Sequence, residues 1–331
     1  GELSTMRETN AAKWARDYDF PAMRSGEVVK SEVPHQRPSG MTGLVMNTRR
    51  PFFDDWRVRQ ALIEVFNFEY LNGVINDEEK PRITSYFLNS PLGMEPGPAG
   101  GRVAELLESH RNDLLPGTLE GYELPTTDGE ASDRRGLRRA IGLLEEAGYA
   151  ISDDGRLTGP DGPVAFEILL PQGSSEVQSV VDIYVEALSR LGLEPSVATA
   201  DSAQFKERLN AYDFDMTWYS WGLSLSPGTE QRLYWGADGV ETPGTRNMMG
   251  TDDPVIGAMI EAMLTSETRD DYVAAVRALD RVLIAGRYVI PAWHNPISYI
   301  AHKAELSYRE DRLPIYGDWI GFQPDVWWIE Q

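Results

Sequence analysis

The stretch Asp213–Gly236 reads DFDMTWYSWGLSLSPGTEQRLYWG, and the rest of the chain is best read outward from it. Phe214, Met216 and Trp218 alternate with Asp215, Thr217 and Tyr219, the period of two that marks a half-buried strand. The strand runs on through Ser220, Trp221 and Gly222, and Ser226, Pro227 and Gly228 break it. A short polar run then ends at Tyr234 and Trp235. Aromatic rings and hydroxyls delivered onto a Gly/Pro loop suit a ligand cleft, because rings supply rigid contact area and hydroxyls fix orientation. The alternative is that Trp218 and Trp221 are core residues beside an ordinary loop.

Upstream of this stretch the pattern alternates between strand and helix. Ser174 or Ser175 opens a helix with Val177, Val180, Val181, Tyr184, Val185, Leu188 and Leu191 on one stripe, and Gly192 stops it. A strand at 193–199 and a helix opened by Asp201 or Ser202 follow. Val164, Phe166, Ile168 and Leu170 alternate as an earlier strand, after the turn pairs Asp154-Gly155 and Asp161-Gly162. This order predicts an α/β lobe. Further back, a strand is expected at 42–48. A helix capped by Asp54 or Asp55 carries Val58, Ala61, Leu62, Val65, Phe68 and Leu71. Ser85 to Leu88 reads as a short strand, 102–110 as a helix, and Asp133 caps another helix that ends at Gly148. Within 1–40, Asn10 to Arg16 reads as a helical turn and Gly26 to Val33 as a strand. Downstream, helices are capped near Asp252 and Thr268, and Val289 to Trp293 is a buried strand before a tail ending in WWIEQ.

The 331 residues include 31 basic and 52 acidic ones, a net charge of −21 that argues against nucleic acid as a partner. The absence of cysteine excludes disulfides, thiolate metal sites and cysteine catalysis. No run approaches the ~18 apolar residues of a membrane-spanning helix. The opening GELSTMRETN has no signal-peptide pattern, and residues 1–40 read as the tail of something that begins earlier.

Catalytic and metal motifs do not emerge. The histidines His35, His110, His294 and His302 lack the i, i+4 spacing of a zinc pair. Gly222-Leu223-Ser224-Leu225-Ser226 starts a nucleophile elbow but puts serine where the last glycine belongs. No phosphate-cradling GxxxxGK[ST] exists, and Asp153-Asp154-Gly155 fails as a calcium loop at its first and last ligand positions. The pairs Asp54-Asp55, Asp252-Asp253 and Asp270-Asp271 stand at predicted helix starts, where capping explains them. No catalytic residue, metal or cofactor is therefore expected.

Several ordered segments resemble one family. VMNTRRPFFDDWRVRQALIEVFNFEYLN resembles a segment of the family 5 extracellular solute-binding proteins, the peptide and nickel receptors of ABC importers. Asn47, Thr48, Pro51, Phe52, Asp55, Val58, Arg59 and Ala61 carry the likeness. RRAIGLLEEAGY at 138–149, YDFDMTWYSWG at 212–222 and TRNMMGTDDPVI at 245–256 are similar to later family segments. ITSYFLNSPLG at 83–93 and SWGLSLSPGTEQRLYWG at 220–236 look like the YejA-like oligopeptide/microcin C subgroup. The resemblance covers nearly the whole chain, but members are about twice this length, so the likeness is to a C-terminal part.

The resemblance implies a periplasmic binding protein-like fold of type II, peptide-receptor class: a C-terminal lobe with a mixed sheet and flanking helices. It divides the chain into a first-lobe remnant with hinge (1–40), a third lobe (41–290) and a C-terminal return to the first lobe (291–331). It further implies a monomeric periplasmic component of an ABC importer that closes on a peptide or modified peptide and delivers it to a membrane permease. Tyr219, Trp221, Ser224, Ser226, Glu230, Arg232, Arg246 and Asn247 are the expected cleft residues. The aromatics would stack, the serines and Asn247 would bond the ligand backbone, and Glu230 and the arginines would pair charges. Where family members commonly carry an aspartate for the ligand's α-amino group, this chain has Ser224-Leu225-Ser226-Pro227. The rival readings are a carbohydrate-binding or glycoside-cleaving protein, which needs two carboxylates across a cleft, and a solute sensor uncoupled from transport.

Overall fold

The structure, a computed structural model, describes residues 4–8, 11–76, 80–318 and 327–329. Asn10, expected to open the first helix, and residues 319–326 and 330–331 of the C-terminal segment lie outside the described residues. Eight strands build the two sheets that position the site. They are β1 (Thr5–Glu8), β2 (Val28–Pro34), β3 (Met41–Met46), β4 (Glu167–Pro171), β5 (Ser196–Ala200), β6 (Met216–Trp221), β7 (Val289–Pro291) and β8 (Ile297–Lys303).

The larger sheet has the order β7-β3-β6-β4-β5. β3 runs antiparallel to both of its neighbours, β7 and β6, while β4 is parallel to both β6 and β5, so the sheet is mixed as expected. The helix Ser175–Ser189 joins β4 to β5, and Ser202–Asn210, capped by the Asp201 carboxylate, joins β5 to β6. β6 is therefore an interior strand. Trp221, Leu169 and Met41 face one cluster with Trp235, Val255 and Leu279. Met216, Ile168 and Leu44 face the other with Leu62 and Val181. Helices cover both faces, which is why β6 is richer in large side chains than a half-buried strand requires.

The smaller sheet has the order β1-β8-β2, with both contacts antiparallel. It joins strands from residues 1–40 to a strand from beyond 291, whereas the larger sheet is built from residues 41–291. The chain crosses between the sheets through residues 35–40 and again through 292–296.

Two local expectations fail. Ser85 to Leu88 is not a strand but part of a run of turns, because Asp280 accepts from Tyr86 N (2.7 Å) and Met94 N (3.0 Å) and winds the segment around its carboxylate. The stripe from Val58 to Leu71 belongs to two helices, Trp56–Glu64 and Phe68–Asn76. Asn67 breaks it by accepting from Tyr70 N (3.2 Å), a cap that competes with helix continuation. Asp55 does cap the first of these helices, accepting from Arg57 N.

Candidate functional site

The two inter-sheet crossings form the floor of a groove of about 860 Å³. Backbone bonds hold them: His35 N donates to Pro296 O (3.2 Å) and Ala292 N to Thr42 O (2.9 Å). Residues 81–83 lie alongside as a further short rail, with Arg82 bridged to Trp293 and His294 N donating to Pro81 O (3.0 Å). Two glycines permit this closeness. A Cβ on Gly43 would lie 2.0 Å from Ile290 O, and one on Gly40, whose φ is +66°, would lie 2.0 Å from Trp221 O.

Register decides what the larger sheet shows to the groove. Thr42 pairs with Ser220 across β3 and β6, their hydroxyls are 2.6 Å apart, and both line the groove. Alternation sends the neighbours Tyr219 and Trp221 to the opposite face. Past the strand, Gly222, Leu223 and Ser224 continue the wall. Lys80 and Trp293 line the groove together: the ammonium lies 5.1 Å from the indole centroid and 3.6 Å from Glu176, in the first turn of Ser175–Ser189. Trp293 in turn lies 6.4 Å from Trp218.

His35 and His294 complete the polar lining. Burial, with help from the Arg37 charge, pushes the His35 imidazole down to about 4, and burial likewise lowers His294. A neutral imidazole offers one donor and one acceptor without charge. His294 Nδ1 is buried and has no partner among the described residues. Arg37 is engaged, donating to Ser298 Oγ (2.7 Å), Tyr316 O (2.6 Å) and Asp318 (3.1 Å). The groove thus combines hydroxyls, neutral imidazoles, an indole face and one Lys–Glu pair. That set can orient a polar backbone and stack a side chain. Among the described residues, no group of three or more His, Asp or Glu is placed to hold a metal ion.

The expected site residues do not come together. Ser224 lines the groove. Trp221 does not: it is 1% exposed, packs 5.1 Å from Trp235 and donates from Nε1 to Arg246 O (2.9 Å). Asn247, expected to bond a ligand, is fully buried and holds Gly236 O (3.0 Å) and Thr251 O (2.8 Å). Both are corrected to the interior: Trp221 because β6 is covered on both faces, and Asn247 because it ties its own loop together, its Oδ1 also accepting from Gly250 N and Thr251 N. Tyr219 is half-buried against Trp221 at 4.7 Å. Ser226 N donates to Ser224 Oγ, and Glu230 accepts from Gly228 N as a local loop brace. Arg232 pairs with Glu261 (2.6 Å), and Arg246 donates to Tyr234 OH (3.1 Å), both on the surface. Thr42, Lys80, Ser220, Trp293 and His294 were not singled out for the site. Only Ser220 had a signal, since strand alternation puts it opposite Trp221.

With this geometry in view, the comparisons with known proteins are decisive for the class. Residues 1–241 match the family described as "Bacterial extracellular solute-binding proteins, family 5 Middle", and the chain belongs to that family. Among its relatives are the "Probable peptide-binding protein YejA" of Agrobacterium fabrum and the "Peptidoglycan-binding protein YepA" of the same organism. YejA is 35% identical over 332 residues, which cover 99% of this chain and 53% of YejA. YepA is 37% identical over 325 residues, covering 97% of this chain and 51% of YepA. The chain therefore spans about half the length of the curated relatives it matches. The fold is shared with the oligopeptide-binding protein AppA of Bacillus subtilis, solved with a nonapeptide, at a TM-score of 0.71 and 14% identity over 100% of this chain and 57% of AppA. Among the described residues no helix is long and apolar enough to cross a membrane.

Proposed function

We propose that the whole protein is the periplasmic substrate-binding component of an ABC importer that captures oligopeptides or modified peptides. The observation that carries this reading is the groove at the two crossings. It lies where a change in angle between the sheets would open or close it, and it is lined by groups suited to a peptide backbone. A ligand touching both sides favours the closed form through contacts the open form lacks, and the closed form is what a permease would read. The names of YejA and YepA support a peptide or a peptidoglycan-derived peptide. The family is one of binding proteins, which does not favour the glycoside-cleaving alternative.

The carrying contact is Trp293. Calorimetry of the full-length protein with a mixed hexapeptide pool and a muropeptide should give saturable binding to at least one. Trp293→Ala should weaken it about tenfold or more, the equivalent of ~1.4 kcal/mol. Binding to cellohexaose with no response to either peptide probe would overturn the proposal.

A further inference from the structure

Arg82 reaches a second cavity, of about 430 Å³, whose apolar lining includes Leu88, Met94 and Leu124. Its Nη1 donates to Pro125 O (2.8 Å), and the Phe68 ring lies 4.9 Å from the guanidinium carbon. Nε and Nη2, by contrast, are buried and have no hydrogen-bond partner among the described residues. Glu69 and Glu123 share the lining, yet neither accepts from those nitrogens. Glu69 is committed elsewhere, its Oε2 accepting from Thr127 N and Oγ1, each at 3.0 Å.

Leaving two guanidinium donors unmade in a low-dielectric pocket is costly, and the cost falls on the cation. Burial lowers the Arg82 pKa to about 10, which leaves it protonated at neutral pH. Nε–H and one Nη2–H are adjacent and nearly parallel, the edge of arginine that takes both oxygens of a carboxylate. Leu88, Met94, Pro96 and Leu124 give the cavity its apolar part, and Thr84, Ser85, Tyr122 and Thr126 add polar positions beside the two glutamates. Small-molecule sites use this kind of mixture of apolar wall and orienting groups.

We infer that this cavity is a second binding site, separate from the peptide groove, for a small organic carboxylate whose apolar body lies against Leu88, Met94 and Leu124. The carboxylate takes Nε and Nη2 of Arg82 side-on.

The test is calorimetry of the full-length protein with hexanoate and with the isosteric neutral hexanamide. Hexanoate should bind saturably and hexanamide at least about tenfold more weakly. Arg82→Met should bring hexanoate down to the level of hexanamide, and Arg82→Lys should retain part of the difference because it keeps charge but loses the fork. Equal binding of the two probes, no saturable heat up to about 20 mM hexanoate, or undiminished binding by Arg82→Met would each overturn the inference. If Arg82→Met does not fold, the hexanoate–hexanamide contrast in the wild type decides alone.

Discussion

Trp221→Ala is expected to lower folding stability by about 3–5 kcal/mol, the usual cost of truncating a fully buried aromatic. The indole is 1% exposed, touches Trp235 and Tyr219, and satisfies Arg246 O through Nε1. Its removal leaves a cavity where β6 meets the helix Glu230–Trp235 and takes the indole donor away from Arg246 O. The expected result is a marked drop in the urea midpoint of the full-length protein. Under conditions where the variant stays folded, peptide affinity should change by less than about threefold. An unchanged midpoint with lost affinity would return Trp221 to the cleft.

Asp280 should produce the second large effect. Its carboxylate is fully buried on the helix Arg269–Ala285 and accepts from Tyr86 N and Met94 N. Asp280→Ala leaves both N–H groups unpaired at about 1–3 kcal/mol each, so a loss of roughly 2–6 kcal/mol is expected. Burial outweighs the hydrogen bonds and raises the carboxyl pKa to about 6. The unfolded value is about 3.9, so the native state holds the proton more tightly. The stability this provides is complete below about pH 4 and is lost as pH rises through about 6, on the order of 3 kcal/mol in all. Asp280→Asn cannot titrate. The stability of the wild type relative to Asp280→Asn should therefore fall between about pH 4 and pH 7. Parallel urea curves for the two proteins across that window would show that Asp280 does not carry the shift.

Much of the architecture was legible because it follows from short-range rules. Asp55, Asp133, Asp201 and Thr268 each cap the helix that spacing predicts after it. The β4–helix–β5–helix–β6 order was visible as a change of period from 2 to 3.6 and back. The family-like segment at 45–72 proves to be scaffold: Asn47 donates to Tyr212 O and Phe214 O, and Arg59 donates to Gly286 O, Phe53 O and Asp54 O. Those residues announce the fold and touch no groove.

The site was far less legible, for a topological reason. An aromatic-rich strand looks the same in sequence whether its rings line a cleft or fill a two-sided core, and only the helices packed behind β6 decide between them. Lys80, Trp293 and His294 come to the groove from segments more than 200 residues apart, joined by the Arg82–Trp293 bridge. No local pattern encodes that meeting. Ser220 was the exception, since its place opposite Trp221 follows from alternation alone.

The tight packing at Gly40 and Gly43 bears on any effort to redirect specificity by directed evolution. A library that randomises codons 42 and 220 would change the side chains on the groove wall while the backbone beneath stays put. Codons 40 and 43 tolerate no such diversity, because even alanine would drive the neighbouring chain away and spoil the framework on which every other variant depends.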